Sequence, residues 1–267
     1  MSTTPNVPYH LEFAVEVPGT AEQVWQAIAT ARGLSGWFLP TEMEEREGGA
    51  LHFSMGSGEG PGMGSDGRIT VWDPPRRLAY EEDWAALMGQ DPAALSPLTS
   101  EFVVEPQPGG TCVVHVTSSG FGIGADWEAE FWDDMGPSWL PSFDNLRLYL
   151  THFAGQEATS LVAVASHRGD AATLRSTLRS ALGPAEEGAT DEACGATGTV
   201  VRVGEREVLL RLVAPVPGTL RVLMHDDGDG SVTVGVRAYL FGADAAAYVR
   251  REQPTWQAWL EGLPGRS

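Results

Sequence analysis

Lysine is absent from this chain of 267 residues: all 17 basic side chains are Arg, against 36 Asp and Glu, for a formal net charge of −19. The missing Lys reads as a composition bias with no mechanism attached. The negative balance repels phosphate backbones and anionic lipid surfaces, so neither nucleic acid nor membrane is an expected partner. Only two cysteines occur, Cys112 and Cys194, without paired spacing. They form no disulfide framework or zinc ligand set. No apolar run reaches the ~18 residues of a membrane span. The first residues, MSTTPNVPYHLEF, lack the basic-then-apolar order of a secretory signal. A soluble cytoplasmic protein is the expectation.

What is present argues for a folded globule: 42% hydrophobic residues and nine Trp. The length suits two modest domains with real cores. The acid is uneven. Residues 1–155 hold 6 Arg and 22 acidic residues, and residues 156–267 hold 11 and 14.

Residues 9–17 alternate apolar and polar as a half-wet strand. Thr20, with Gln23 three positions on, forms a capping box for a helix starting at Ala21. That helix carries Val24, Trp25 and Ile28 on its apolar face, and Gly33 ends it. Strands are expected at 41–46, 50–55, 67–73, 77–83, 99–106 and 111–119, joined by short Gly and Pro turns that imply antiparallel pairing. The Gly-rich stretch 56–67 and the insert 85–97 read as loops, the insert with scope for a small helix or lid. A short helix from Asp126 to Met135, broken at Gly136-Pro137, and a longer one from Pro141 to Phe153 follow. Residues 156–267 form a shortened echo: a strand at 160–166, a helix at 170–182 and a loop at 183–197. Strands at 197–203, 207–214, 218–225 and 231–240 then lead to a closing helix at 244–260. SGFGIGADWEAEF (119–131) and AYLFGADAAAYV (238–249) each run from strand through Phe-Gly and Ala-Asp into a helix, as in a degenerate repeat.

Three stretches carry a family resemblance: VPGTAEQVWQAIATARGLSGWF (17–38), GRITVWDPPRRLAYEEDW (67–84) and EFVVEPQPGGTCVVHVTSSGFG (101–122). Together they resemble the START-related SRPBCC superfamily, with the helix-grip fold of the birch-pollen allergen. The closest branch is that named after the activator of the heat-shock protein 90 ATPase. The resemblance covers residues 9–155 and thins over 156–267. It implies an α+β fold in which a curved antiparallel sheet grips a long C-terminal helix (1–155). A smaller α+β unit of the same type follows (156–267). It also implies a mostly apolar cavity between sheet and helix. Some members bind hydrophobic ligands and a few cyclise polyketides, and fold alone does not choose among these.

In that fold Trp37, Phe38, Trp84, Phe121, Trp127, Trp132 and Trp139 fall near the cavity, where aromatic faces suit flat or greasy ligands. Ordinary core packing is the competing reading for each. His52, Glu101, His115 and Arg147 are the polar candidates for orienting a ligand. A lone strand histidine is more often surface-facing, and register decides. Gly62–Gly67 matches G-x-G-x-x-G by letter but precedes a strand, so it is a loop rather than a dinucleotide site. His225–Asp229 lacks the final Glu of a calcium loop and reads as a hairpin turn. No catalytic signature, metal site or cofactor motif is present.

Three functions follow as expectations. The first is a binding protein for a hydrophobic small molecule. The second is a polyketide cyclase or aromatase, which requires His52, His115 or Glu101 to converge in the cavity. The third is a chaperone-associated interaction module using the acidic surface of residues 1–155. The second half is expected to serve as a structural or dimer-forming appendage, a homodimer being one outcome. An acidic rim around an aromatic cavity would favour neutral or cationic apolar ligands over fatty-acid-like anions.

Overall fold

The computed structural model describes residues 7–54, 64–83, 96–182, 186–227 and 230–263, without the side chains of residues 127, 130, 134, 136–138, 191 and 193. The chain divides into two compact units, Met1–Gly155 and Gln156–Ser267.

Unit 1 begins with strand β1 (Val7–Pro18), helices α1 (Ala21–Ile28) and α2 (Ala31–Leu34), and strands β2 (Thr41–Met43) and β3 (Ala50–Ser54). It continues with β4 (Gly64–Asp73), β5 (Arg77–Glu82), β6 (Leu98–Gln107), β7 (Thr111–Gly122) and helix α3 (Asp126–His152). The seven strands form one sheet in the order β1-β7-β6-β5-β4-β3-β2, with antiparallel neighbours throughout. Alternation sorts each strand into two faces. Val15, Val17, Phe53, Phe102, Val104, Val114 and Val116 face inward, and rings of α3 cover them.

The capping box forms: Gln23 N donates to Thr20 Oγ1 (3.3 Å), and Thr20 N donates to Gln23 Oε1 (2.9 Å). Val24, Trp25 and Ile28 are buried. Thr20→Ala removes one helix-start acceptor and is expected to cost about 1 kcal/mol. A lowered urea midpoint with unchanged slope would register this loss.

Two local expectations need correction. Gly33 does not end α1. It sits inside α2, capped by Thr30, where a Cβ would lie 2.0 Å from the Gln26 carbonyl oxygen. The close approach of two backbones, not a helix stop, requires glycine here. Second, α3 is one helix of 27 residues that runs through Gly136, Pro137 and Pro141. Trp132, Met135, Phe143, Leu146 and Tyr149 are buried at helical spacing on both sides of that stretch. Tertiary burial of this stripe outweighs the local cost of proline.

Unit 2 contains β8 (Ala158–Arg168), α4 (Ala171–Leu182), β9 (Thr190–Ala193), β10 (Ala196–Val203), β11 (Glu207–Ala214), β12 (Gly218–Asp226), β13 (Ser231–Phe241) and α5 (Ala245–Glu261). Its sheet order is β8-β13-β12-β11-β10-β9. Both units therefore pair first strand with last, place one or two helices after the first strand and close with a helix. Among the described residues unit 2 has one strand fewer. Strand β9 falls in a stretch expected to be a loop. Cys194 and Gly195, both at positive φ (49° and 76°), make the two-residue turn that folds β9 onto β10. Its sequence, TDEA, has no apolar alternation to announce a strand.

No helix among the described residues is long and apolar enough to cross a membrane.

Candidate functional site

The inner side of unit 1 carries two layers of different chemistry. The first is a connected set of rings: Phe13, Trp37, Phe38, Phe53, Tyr80, Phe102, Trp139 and Phe143. Neighbouring centroids in this set lie 5.0–6.0 Å apart. Phe38 stacks on Trp139 at 5.0 Å and meets Phe53 edge-on. Trp37 is sealed: its Nε1 donates to the Ala27 carbonyl (2.9 Å), and Asn145 Nδ2 donates to the Trp37 carbonyl (2.6 Å). Such pairs add about 0.5–1.5 kcal/mol each beyond area burial.

The second layer is a polar belt across four adjacent strands: Ser65 (β4), Tyr80 and Glu82 (β5), Ser100 (β6) and Ser118 (β7). Cross-strand register puts Tyr80 opposite Ser100 and Ser100 opposite Ser118. Ser65, Ser100, Ser118 and Tyr80 are buried, while Glu82 is half-buried. Ser65 Oγ donates to Glu82 Oε1 at 2.5 Å, and the Ser100 and Ser118 hydroxyls lie 3.4 Å apart. Burial pushes the Glu82 carboxyl up to about 7, against the opposing pull of the Ser65 hydrogen bond. Burial, reinforced by Glu82, raises the Tyr80 phenol well above its ordinary value. Tyr80 therefore stays protonated, with its ring in the aromatic layer and its hydroxyl in the belt. A carboxyl pushed up toward neutrality can give or take a proton, or hold a cation.

A third cluster lies toward the start of α3. Trp132 stacks on Tyr9 at 5.4 Å with Leu98 and Met135 alongside. Glu128, wholly buried, accepts from Tyr9 Oη (3.1 Å), Ile123 N (2.8 Å) and Gly124 N (2.8 Å). Its carboxylate is thus used up in holding the β7–α3 turn.

The expected site residues divide accordingly. Trp37, Phe38, Trp132 and Trp139 lie on the inner side. His52, Glu101 and His115 do not: each alternates with buried neighbours and projects from the opposite face. There His52 pairs with Asp66 (2.8 Å), Glu101 with Arg77 Nε (2.7 Å) and His115 with Glu105 (3.2 Å). The period of two, with Phe53, Phe102, Val114 and Val116 inward, turns these three outward. A cyclase centre built on them has no support in this geometry. Arg147 instead ties α3 to β1, donating from Nε to the Glu16 carbonyl (2.8 Å) and pairing with Asp144. Phe121 is 47% exposed, on the outward parity of β7. Trp84 lies outside the described residues, as do the Gly-rich positions 56–63 and most of the 85–97 insert. Trp127 is in the first turn of α3, its side chain outside the described set.

The belt itself was missed. A signal for it existed: if Leu78 and Tyr80 face the core, period-two alternation also puts Glu82 there.

A family profile described as "Activator of Hsp90 ATPase homolog 1-like protein" matches residues 18–151, half of the chain. The chain belongs to this family. No curated protein matches it. Similar solved structures include the di-domain aromatase/cyclase BexL from the BE-7585A biosynthetic pathway, at 13% identity and TM-score 0.44, covering 95% of this chain and 98% of that one. DynU16, from the dynemicin biosynthetic locus, is 15% identical with TM-score 0.42, covering 94% and 96%. Protein MLL2253 of Mesorhizobium loti is 20% identical with TM-score 0.42, covering 54% of this chain and 98% of its own. The family assignment agrees with the resemblance carried by 17–38, 67–84 and 101–122.

Proposed function

We propose that unit 1 holds a hydrophobic small molecule on the inner side of its sheet, between the sheet and α3. One observation carries this reading: five polar side chains, on four adjacent strands, occupy inner-face positions beside a layer of aromatic rings. A few convergent polar groups beside an apolar layer are the usual make-up of a small-molecule site. Phe38, Trp132 and Trp139 supply apolar surface over the sealed Trp37, and the belt orients the ligand. Hydrophobic-ligand binding is typical of the family's wider superfamily. Unit 2 serves as a structural or dimer-forming appendage, in a cytoplasmic protein whose charge disfavours nucleic acid.

Titration with 1-naphthalenemethanol, a neutral bicyclic probe, is expected to give saturable binding by calorimetry. The intrinsic fluorescence should change in parallel, since seven of the nine Trp lie in residues 1–155. Heat and fluorescence that stay linear up to the solubility limit would remove the reading.

A further inference from the structure

We propose that the Ser65–Glu82 end of the polar belt receives the ammonium group of an amine-bearing apolar ligand, so that Glu82 sets the specificity of the site. This rests on the small-molecule reading above and adds the ligand's chemical class.

The two units provide an internal comparison. In unit 2, three successive inner-face rows are apolar. The first is Leu161–Ala238–Leu220–Leu210, the second Ala163–Val236–Val222–Val208, and the third begins Ala165–Val234–Met224. All belong to one buried core. A sheet of this order, closed by a helix, can therefore fill these three rows with hydrocarbon alone, although the buried His167 follows them on the same face of β8. The corresponding central row of unit 1 reads Leu11–Ser118–Ser100–Tyr80, with Glu82 two residues further along β5. The fold does not require those hydroxyls or that carboxyl. In these rows unit 1 has hydroxyls and a carboxyl where unit 2 has hydrocarbon, which points to a use other than packing.

The charge chemistry then selects the ligand. Glu82 accepts a hydrogen bond from Ser65 and stands opposite apolar Leu98. Arg77 on the same strand, Arg68 on β4 and His52 on β3 all project from the other face. The inner side also carries Tyr80, whose phenol stays protonated, the mutually bonded Tyr9–Glu128 pair, and the buried Cys112 and Tyr149. No cation among the described residues reaches Glu82 within ion-pair distance. An ammonium would supply the missing charge. The Phe53 and Tyr80 rings, 5.6 Å apart, would add cation–π attraction, and Ser65 and Tyr80 would give hydrogen-bonding oxygen atoms. Unit 1 also carries most of the chain's negative charge, which favours a cation's approach and opposes an anion's. Glu82 is half-buried, so its carboxyl remains reachable.

The proton balance makes the proposal testable without knowing the natural ligand. Glu82 loses its proton near pH 7. An aliphatic amine stays charged from pH 5.5 to 8. Below 7 the carboxyl must release its proton to solvent before pairing, so amine affinity falls as pH drops, by roughly thirtyfold between pH 8 and 5.5. The experiment compares 1-(aminomethyl)naphthalene with 1-naphthalenemethanol, of nearly the same shape, on the full chain and on Glu82→Gln. At pH 8 the amine is expected to bind at least tenfold tighter than the alcohol. That advantage should vanish at pH 5.5 and in the variant, while alcohol binding persists. Equal affinities at pH 8, or an advantage that survives in Glu82→Gln, would overturn the proposal and leave the small-molecule reading standing. Failure of both probes would overturn that reading and this proposal with it. The pH series on the unaltered chain decides the matter even if the variant folds poorly.

Discussion

At pH 8 Glu82→Gln is expected to be more stable than the parent chain by about 3 kcal/mol, and at pH 4 the two should converge. The folded carboxyl titrates at about 7, against an ordinary value of 4.5. The folded state therefore binds the proton more tightly than the unfolded one. Below 4.5 both states are protonated, and Glu82 costs the fold nothing electrostatic. Between 4.5 and 7 the unfolded chain ionises while the folded chain resists, so stability falls as pH rises. Above 7 both are ionised and the loss is complete. Glutamine fills the same volume, can still accept from Ser65 and has no charge to desolvate. Urea unfolding of the full chain, followed by tryptophan fluorescence at pH 4, 6 and 8, gives the difference directly. A parent-minus-variant stability that does not change with pH would show that Glu82 is solvated in the folded state, and the polar belt would lose its titrating member.

That a native side chain should lower stability at neutral pH agrees with a functional role. Functional groups are often held where the fold alone would not place them.

The strand pattern of unit 1 was readable because its strands are half-wet. In β1, Tyr9 to Val17 alternate so cleanly that face and period follow together. The capping box was readable because it is a local exchange between Thr20 and Gln23. The site was less readable, for a physical reason. Histidines in apolar strands, such as His52 and His115, attract attention as oddities. Yet alternation makes an isolated polar residue between apolar ones the outward-facing residue. The residue that matters, Glu82, is followed by Asp83 at a strand end, where acidic runs normally mark the return to solvent. Alternation from Leu78 and Tyr80 points it inward, and the cross-strand register with Gly67 and Leu98 places it there. Ser100 and Ser118 are similarly quiet in sequence. They become a feature only when β6 and β7 set them opposite each other. The continuous α3 was hidden by Gly136-Pro137, whose local signal is correct for a peptide but is outweighed by burial of the stripe from Trp132 to Tyr149.

Glu128→Ala is expected to cost about 3 kcal/mol, since each buried donor left without an acceptor costs about 1–3 kcal/mol. The carboxylate bridges three donors from two parts of the chain: the Tyr9 hydroxyl on β1 and the backbone N–H groups of Ile123 and Gly124. Removing it leaves all three buried or half-buried donors without that acceptor. It also frees the turn that aims α3 across the sheet. Glu128→Gln should be milder, because one carbonyl oxygen remains, but its amide N–H₂ must face a donor. Gly122→Ala tests the same contact from the other side. A Cβ at Gly122 would lie 2.1 Å from Glu128 Oε2, so the carboxylate must leave its seat. The two substitutions act on one interaction, so the double variant should be much less destabilised than the sum of the singles. Additive losses in a urea double-mutant cycle would mean that Gly122 and Glu128 act separately. The aim of α3, and with it the placement of Trp132 and Trp139 over the inner face, would then have to come from the apolar stripe alone.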